Sequence, residues 1–372
     1  MAVATEVRTA TPKPPRMRRA LIGSAIALAV VVGAITIGVH AGICEPKFAT
    51  WMQLITSGLT LGAVYAMIAL GYTMVYGVLQ LINFAHSEVF MVGTFAGLYV
   101  ITGLFGINGT SNPNGIAGGY LVLVIVVGVI LCSLASGTTA VLLERIAYRP
   151  LRRRGASRLG YLITAIGASL FIQQLFLLMD GQHHLGLPFR WPLIAGNAPR
   201  NVPTVMQTKT LFTLWGDPIL NTQVLVIAVS VVMLIILDLF VRRTRAGMGM
   251  RAVAEDPEMA ALMGVSIEAI IVLTFFVGGL MAGGAGMLFV VFFGQTRFNV
   301  GFLLGIQAFT AAVLGGIGNI RGAMLGGILL GLIENVGVAC TGLQWQPVVA
   351  FLVLVAVLMF RPTGILGEQV GG

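Results

Sequence analysis

Polar and apolar positions fall in long blocks along this chain, not in short alternation. Apolar windows occur at about 20–39, 54–77, 89–107, 120–142, 159–179, 220–240, 269–292, 302–318, 322–340 and 347–360. Most approach the roughly 20 residues that an α-helix needs to cross a bilayer. Strands of a membrane barrel would instead alternate in pieces of about ten residues. The pattern predicts an all-α, polytopic transmembrane helical bundle of about ten spans. The alternative is about eight, with the short glycine-rich windows near the end re-entering the membrane from one side.

Charge orients the spans. The segment Glu144 to Arg158, ERIAYRPLRRRGASR, carries Arg145, Arg149, Arg152, Arg153, Arg154 and Arg158, and the segment after Phe240 carries Arg242, Arg243, Arg245 and Arg251. Short arginine-rich loops stay on the cytoplasmic side. The basic tail 1–19 and Arg361 place both termini there as well, whereas FGINGTSNPNGIAGG, without Lys or Arg, faces outward. Ten crossings satisfy all of these constraints. The expected organisation is a disordered cytosolic tail, 1–19, and a transmembrane domain, 20–372. That domain has an external loop at 180–219 and a cytoplasmic loop at 242–268. The apolar run Ala20 to Val39 is too long for a typical signal core and reads as an uncleaved first span. The external loop divides the windows five and five, and an odd number per half gives the opposite orientations that an inverted repeat requires.

Composition narrows the class further. The chain is 57% hydrophobic and 9% charged, against about a quarter charged in soluble proteins. The net charge of +9 sits in short loops between spans, so no nucleic-acid partner is expected. Cys44, Cys132 and Cys340 lack paired spacing, so neither a disulfide framework nor a metal site follows. The 49 glycines include the spacings Gly279/Gly283, Gly322/Gly326 and Gly327/Gly331, which let helix backbones approach closely in lipid.

Two passages carry candidate chemistry. In GMGMRAVAEDPEMAALMGVSIEA, Asp256 reads as an N-cap, Pro257 as the first helical residue and Glu258 as a first-turn acid. Met259, Leu262 and Met263 then share one face, and Gly264 supplies a left-handed stop. The segment Glu255, Asp256, Pro257, Glu258, Met259, Ala260, Ala261, Leu262, Met263, Gly264 is thus a short amphipathic helix. It either lies on the membrane surface or fills a groove on a soluble partner.

The second passage is LQLINFAHSEVFMVGTF, where Asn83, His86, Ser87 and Glu88 interrupt the apolar sequence. In one reading Ser87 caps the next helix, Glu88 favours its dipole, Asn83 satisfies backbone groups freed by the turn and His86 bonds a carbonyl. In the other, ionisable residues at membrane depth serve function, and this cluster shapes an inner gate. Glu334 and Asn335, in GLIENVG, pose the same choice between interhelical bonding and lining a path. Asp238 reads as an interfacial counter-charge to the arginines that follow it.

The stretches INFAHSEVFMVGTF, RAVAEDPEMAALMGV, QAFTAAVLGGIGNIRGAMLGGILLG and RPTGILG, in that order, resemble the first of the two paired permeases of branched-chain amino acid ABC importers. The EMAALMG segment also resembles the Glu-Ala-Ala…Gly loop through which ABC permeases dock on their ATPase. Ser87 stands where the family usually has Gly, and Arg321 where Pro is common. The resemblance implies a chain in the bacterial plasma (inner) membrane, in contact with membrane lipid. It would work with a second related permease, two ATPase subunits and an extracytoplasmic solute-binding protein. No Gly-Lys pair occurs, so the chain has no phosphate-binding loop. This chain would bind no cofactor, ATP and Mg belonging to the ATPase subunits. Urea or short-amide permeases of the same family share the Asn-x-Ala-His passage, and a proton-coupled secondary transporter using Glu88 or Glu334 is the rival from another class. An enzyme is disfavoured, because no nucleophile with a base or paired carboxylates assembles from these residues.

Overall fold

The computed structural model describes residues 48–108, 115–178, 198–214, 217–339, 342–361 and 363–367. The expected tail 1–19, the first span 20–39, Cys44, Cys340 and part of the external loop lie outside the described residues. Each of the other nine apolar windows carries a helix.

Helix α1 spans Phe48–Leu79 and α2 spans His86–Tyr99, running on through a π turn at Val100–Leu104. Helix α3, Gly118–Leu143, continues through a second π turn, Glu144–Tyr148, into α4, Arg149–Arg153. Then follow α5 (Arg158–Leu178), α6 (Asn221–Arg243), α7 (Arg245–Glu255), α8 (Pro257–Leu262), α9 (Ile267–Phe293), α10 (Val300–Gly315), α11 (Ile320–Gly337) and α12 (Gln346–Phe360). Among the described residues, seven helical stretches are long and apolar enough to cross a membrane, and α10 and α12 are shorter apolar helices.

Helices α1 and α9 form the centre. In their most apolar stretches, 72% and 78% of residues are buried, against 11% in α5 and 28% in α6. The outer helices expose Phe171, Ile236 and Phe351, as expected where the solvent is hydrocarbon.

Close packing at the centre depends on small residues. A Cβ on Gly331 would lie 2.4 Å from the backbone of Gly62, and one on Gly327 would lie 2.4 Å from the backbone of Ala66. Gly58, Gly62 and Ala66, each four apart on α1, therefore form the face onto which Gly327, Gly331 and Asn335 of α11 fit. Gly279 and Gly283 of α9 press on Gly137 and Cys132 of α3, and Gly322 and Gly326 hold α11 against the end of α10. Cys132 is buried and free. At the hairpin between α10 and α11, Asn319 Oδ1 accepts from the amides of Arg321 and Gly322. The C-terminal strap closes on it: the amides of Ile365 and Leu366 donate to Leu314 and Gly315.

Three expectations need correction. The arginine-rich segment 144–158 is not a loop as far as Arg153. The helix carries on through the π turn, because Glu144 is buried and its Oε1 accepts from Arg152 Nη2 at 2.8 Å, about two turns further on. The loop 242–268 is mostly helical, with α7 preceding the expected short helix. Thr244 Oγ1 caps α7 by accepting from the Gly247 amide. The all-α description omits four short strands. β1 (Arg200–Asn201) pairs antiparallel with β4 (Gln295–Thr296), and β2 (Thr210–Leu214) with β3 (Asp217–Leu220). These strands satisfy backbone groups of the segment between α5 and α6, which Asp217 ties to α1 by accepting from Thr56 Oγ1 at 3.2 Å.

Candidate functional site

The chain between α1 and α2 leaves α1 at Gln80, in a left-handed conformation with φ 54°. It then turns back into the bundle. A Cβ on Gly71 would overlap the His86 imidazole, so α2 begins level with Gly71. That is eight residues, about 12 Å, short of the end of α1. His86, Ser87 and Glu88 therefore sit at a break inside the bundle, not at its edge. All three are buried, with Glu88 0% exposed.

Ser87 does not cap α2. The turn supplies its own closure: the amides of His86, Ser87 and Glu88 donate to the carbonyls of Asn83, Phe84 and Ala85. With those amides satisfied, α2 starts two residues earlier than expected, and Ser87 Oγ donates to the Phe84 carbonyl at 2.7 Å. Glu88 lies in the first turn, where a negative charge is favoured by the helix dipole. Its Oε1 accepts from Ser169 Oγ of α5 at 3.2 Å and from Ser87 Oγ at 3.4 Å. Its Oε2 is buried with no hydrogen-bond partner among the described residues.

Asn83 satisfies a side chain, not the turn's backbone: its Oδ1 accepts from Tyr148 Oη at 2.7 Å. Tyr148 belongs to the π turn that ends α3, so this bond ties the break to the arginine-bearing end of the bundle. His86 meets Tyr72 edge-on, with ring centroids 4.9 Å apart, and its buried Nε2 has no hydrogen-bond partner among the described residues. The four polar residues thus share one break but face different neighbours. Among the described side-chain hydrogen bonds, only that from Ser87 to Glu88 joins two of the four.

A second break adjoins the first. Helix α10 starts only after β4, and Thr296 of β4 meets Thr94 of α2 with 2.6 Å between hydroxyls. A Cβ on Gly301 would lie 2.3 Å from the Ser87 carbonyl and 3.1 Å from Glu88 Oε2; one on Gly305 would crowd Ser87 and lie 3.1 Å from Tyr72 Oη. Two helix N-termini, those of α2 and α10, consequently converge on Ser87 and Glu88. Sequence reading missed this meeting, although the glycines at 301 and 305 carried the signal.

Glu334 occupies another level of the same α1–α10 groove. Its Oε2 accepts from Tyr65 Oη at 2.8 Å and from Gln307 Nε2 at 3.4 Å, while its Oε1 is buried and unpartnered among the described residues. Tyr65 and Tyr72 lie seven residues apart, two turns, on one face of α1. Asn335 serves its own helix, donating Nδ2 to the Gly331 carbonyl at 2.9 Å. The Tyr65 and Gln307 partners of Glu334 were not foreseen, since they are brought together across three helices.

On the arginine-rich side, α8 begins as its sequence predicts. Asp256 Oδ1 accepts from the amides of Glu258 and Met259 at 2.9 and 3.0 Å, Pro257 is the first helical residue, and Gly264 takes φ +82°. Ala260 faces inward. Glu255, Glu258 and Ala261 are exposed, and so are the apolar Met259, Leu262 and Met263, at 57%, 80% and 82%. Nothing among the described residues covers that apolar face. Nearby, Asp238 pairs with Arg242 at 2.8 Å and lies 4.0 Å from Arg321, which gives the Arg at position 321 a partner.

Comparison with known proteins accounts for this layout. The sequence profile described as "Branched-chain amino acid transport system / permease component" matches residues 54–358. The chain belongs to the branched-chain amino acid permease family. Among its relatives is the high-affinity branched-chain amino acid transport system permease protein BraD of Pseudomonas aeruginosa. It is 41% identical over 87% of this chain and 98% of its own length. LivH of Escherichia coli K12, a high-affinity permease of the same description, is 39% identical over 87% of this chain and 97% of its own. The fructose import permease FrcC of Rhizobium meliloti is 29% identical but covers only 35% of this chain. No solved structure matches. The matched region contains both breaks, Glu88, Glu334 and α8. As a family member the chain is a multi-pass membrane permease component of an ABC transport system.

Proposed function

We propose that this chain forms half of the translocation path of an ATP-driven importer of branched-chain or similar amino acids in the bacterial plasma membrane, and that separate ATPase subunits drive it through α8. The observation that carries the proposal is the apolar face of α8. A capped helix holding Met259, Leu262 and Met263 in the open, on the arginine-rich side of the bundle, fits a groove on a soluble subunit.

The remaining partners follow from that reading. A second related permease completes the path, two ATPases bind ATP and Mg, and an extracytoplasmic binding protein delivers the solute. This chain binds no cofactor of its own. Ten spans arranged as a five-plus-five inverted repeat, with both termini inside, suit the placement of the helices. Nine windows carry helices, and α2 and α10, the third and eighth windows, are the interrupted ones. Breaks at corresponding positions of two inverted halves are where alternating-access transporters place their moving site.

In the proposed cycle the breaks at 80–85 and 294–299 act as hinges. Closing of the ATPases moves α8, and the Tyr148–Asn83 bond conveys displacement from the arginine-bearing end to the start of α2. When the groove opens, Glu88 and Glu334 present their unpartnered oxygens to the solute, with Asn83, His86, Ser87 and Asn335 nearby. Polar groups there lessen the cost of stripping water from a zwitterion. Selectivity rests mainly with the binding protein, so the path needs no tight site.

The test is uptake of radiolabelled leucine into liposomes. Uptake is expected only when the second permease, the ATPases, the binding protein and ATP are all supplied. Uptake by this chain alone, abolished by a proton uncoupler, would contradict the proposal in favour of proton coupling through Glu88 or Glu334.

A further inference from the structure

Where the arginine-bearing end of α3 meets the start of α9, an open cleft of about 580 Å³ lies on the outside of the bundle. Its rim is cationic. Arg145 has no ion-pair partner among the described residues. Arg149 donates Nη2 to Glu268, yet its buried Nε has no acceptor. Arg153 stands 3.9 Å from the other oxygen of Glu268. Three guanidinium groups therefore face one carboxylate. Glu144, the other acid nearby, is engaged with Arg152.

Beneath the rim the wall turns apolar, with Val141 on one side and Val272 and Phe276 on the other. Phe276 lies nine residues along α9 from its first residue, roughly 14 Å deeper. Beside the cleft, Leu142 and Ile146 are 56% and 74% exposed, so no described residue of this chain packs over this flank.

We propose that this cleft binds one anionic phospholipid of the cytoplasmic leaflet, with its phosphate between Arg145 and Arg149 and an acyl chain along Val141, Val272 and Phe276. The arginine fork suits a phosphate diester, offering parallel donors at fixed geometry. A soluble phosphate would use the rim but leave the apolar wall open. A zwitterionic lipid would fill the wall but gain less from the excess positive charge. An anionic lipid uses both, and basic clefts between helices at this leaflet suit such headgroups. The proposal does not depend on which solute the protein carries.

The experiment is native mass spectrometry of the full chain in detergent micelles, titrated separately with phosphatidylglycerol, phosphatidylcholine and glycerophosphate. One phosphatidylglycerol should be retained in preference to phosphatidylcholine, and glycerophosphate should bind far more weakly. Arg145→Gln should lower phosphatidylglycerol retention about fivefold, the loss of one interfacial cation, without altering phosphatidylcholine. Val272→Asn, which leaves the rim intact, should weaken the lipid but not glycerophosphate. Equal retention of the two lipids, wild-type retention by Arg145→Gln, or glycerophosphate binding as tightly as phosphatidylglycerol would each overturn the proposal. So would an Arg145→Gln protein that keeps its lipid but no longer associates with the ATPase, which would assign the cleft to the motor.

Discussion

Replacing Gly331 with Ala tests how tightly α1 and α11 are matched. The added Cβ would sit 2.4 Å from Gly62 Cα and N and 2.5 Å from the Gly58 carbonyl, whereas ordinary contact begins at 3.4 Å. All three neighbours are backbone atoms, so no side chain can swing aside and the helices must part by about 1 Å. Overpacking of this kind costs about 1–3 kcal/mol. The same seam carries the 2.8 Å bond from Tyr65 to Glu334, less than one turn from Gly331. Separation by about 1 Å stretches that bond beyond hydrogen-bonding range. Leaving the buried carboxylate short of a donor adds about 1–3 kcal/mol. Gly331→Ala should therefore lose roughly 2–6 kcal/mol, more than the packing clash alone. Unfolding in mixed micelles by a denaturing detergent measures this loss. Tyr65→Phe removes the hydroxyl while preserving the seam. In a double-mutant cycle its cost should largely vanish on the Gly331→Ala background, because the bond is already gone. A Gly331→Ala protein within about 0.5 kcal/mol of wild type, or full additivity with Tyr65→Phe, would refute the reasoning.

Asp256→Ala removes the acceptor of two amides at the start of α8 and should cost about 1 kcal/mol locally. Hydrogen exchange at the Glu258 and Met259 amides should quicken while α1 and α9 remain protected; unchanged exchange would mean that the cap does not hold α8. Glu88→Gln keeps the shape but removes the charge at the meeting of α2 and α10, and should slow leucine uptake by the complete transporter without lowering its assembly. An unchanged rate would leave Glu88 only its favourable place in the first turn of α2.

Much of this architecture was legible along the chain because a bilayer imposes long apolar helices, and nine of the ten windows carry one. The start of α8 was readable to the residue, since Asp256, Pro257 and Gly264 act locally, through cap, fixed φ and left-handed stop. Long-range features were not readable. Gly327 and Gly331 announced a close approach, but nothing near them in sequence named Gly58 and Gly62 as the facing surface. Ser87 was misread as a cap because the turn carbonyls of Asn83, Phe84 and Ala85 close the helix first. Arg145 to Arg153 were misread as loop because a buried Glu144 paired with Arg152 lets the helix continue. Glu334 was visible as an anomaly, whereas Tyr65 and Gln307, ordinary residues on other helices, became its partners only through packing.

The central claim is that force enters through the exposed apolar face of α8. Its most direct measurement compares ATP hydrolysis with leucine uptake in liposomes containing the complete transporter, wild type or Met259→Asp with Leu262→Asp. Both side chains are exposed, so the bundle should still assemble in the membrane. The account predicts that uptake collapses and the ATPase no longer co-purifies with the permease. Uptake that stays coupled to hydrolysis at the wild-type ratio, with the ATPase still bound, would contradict it.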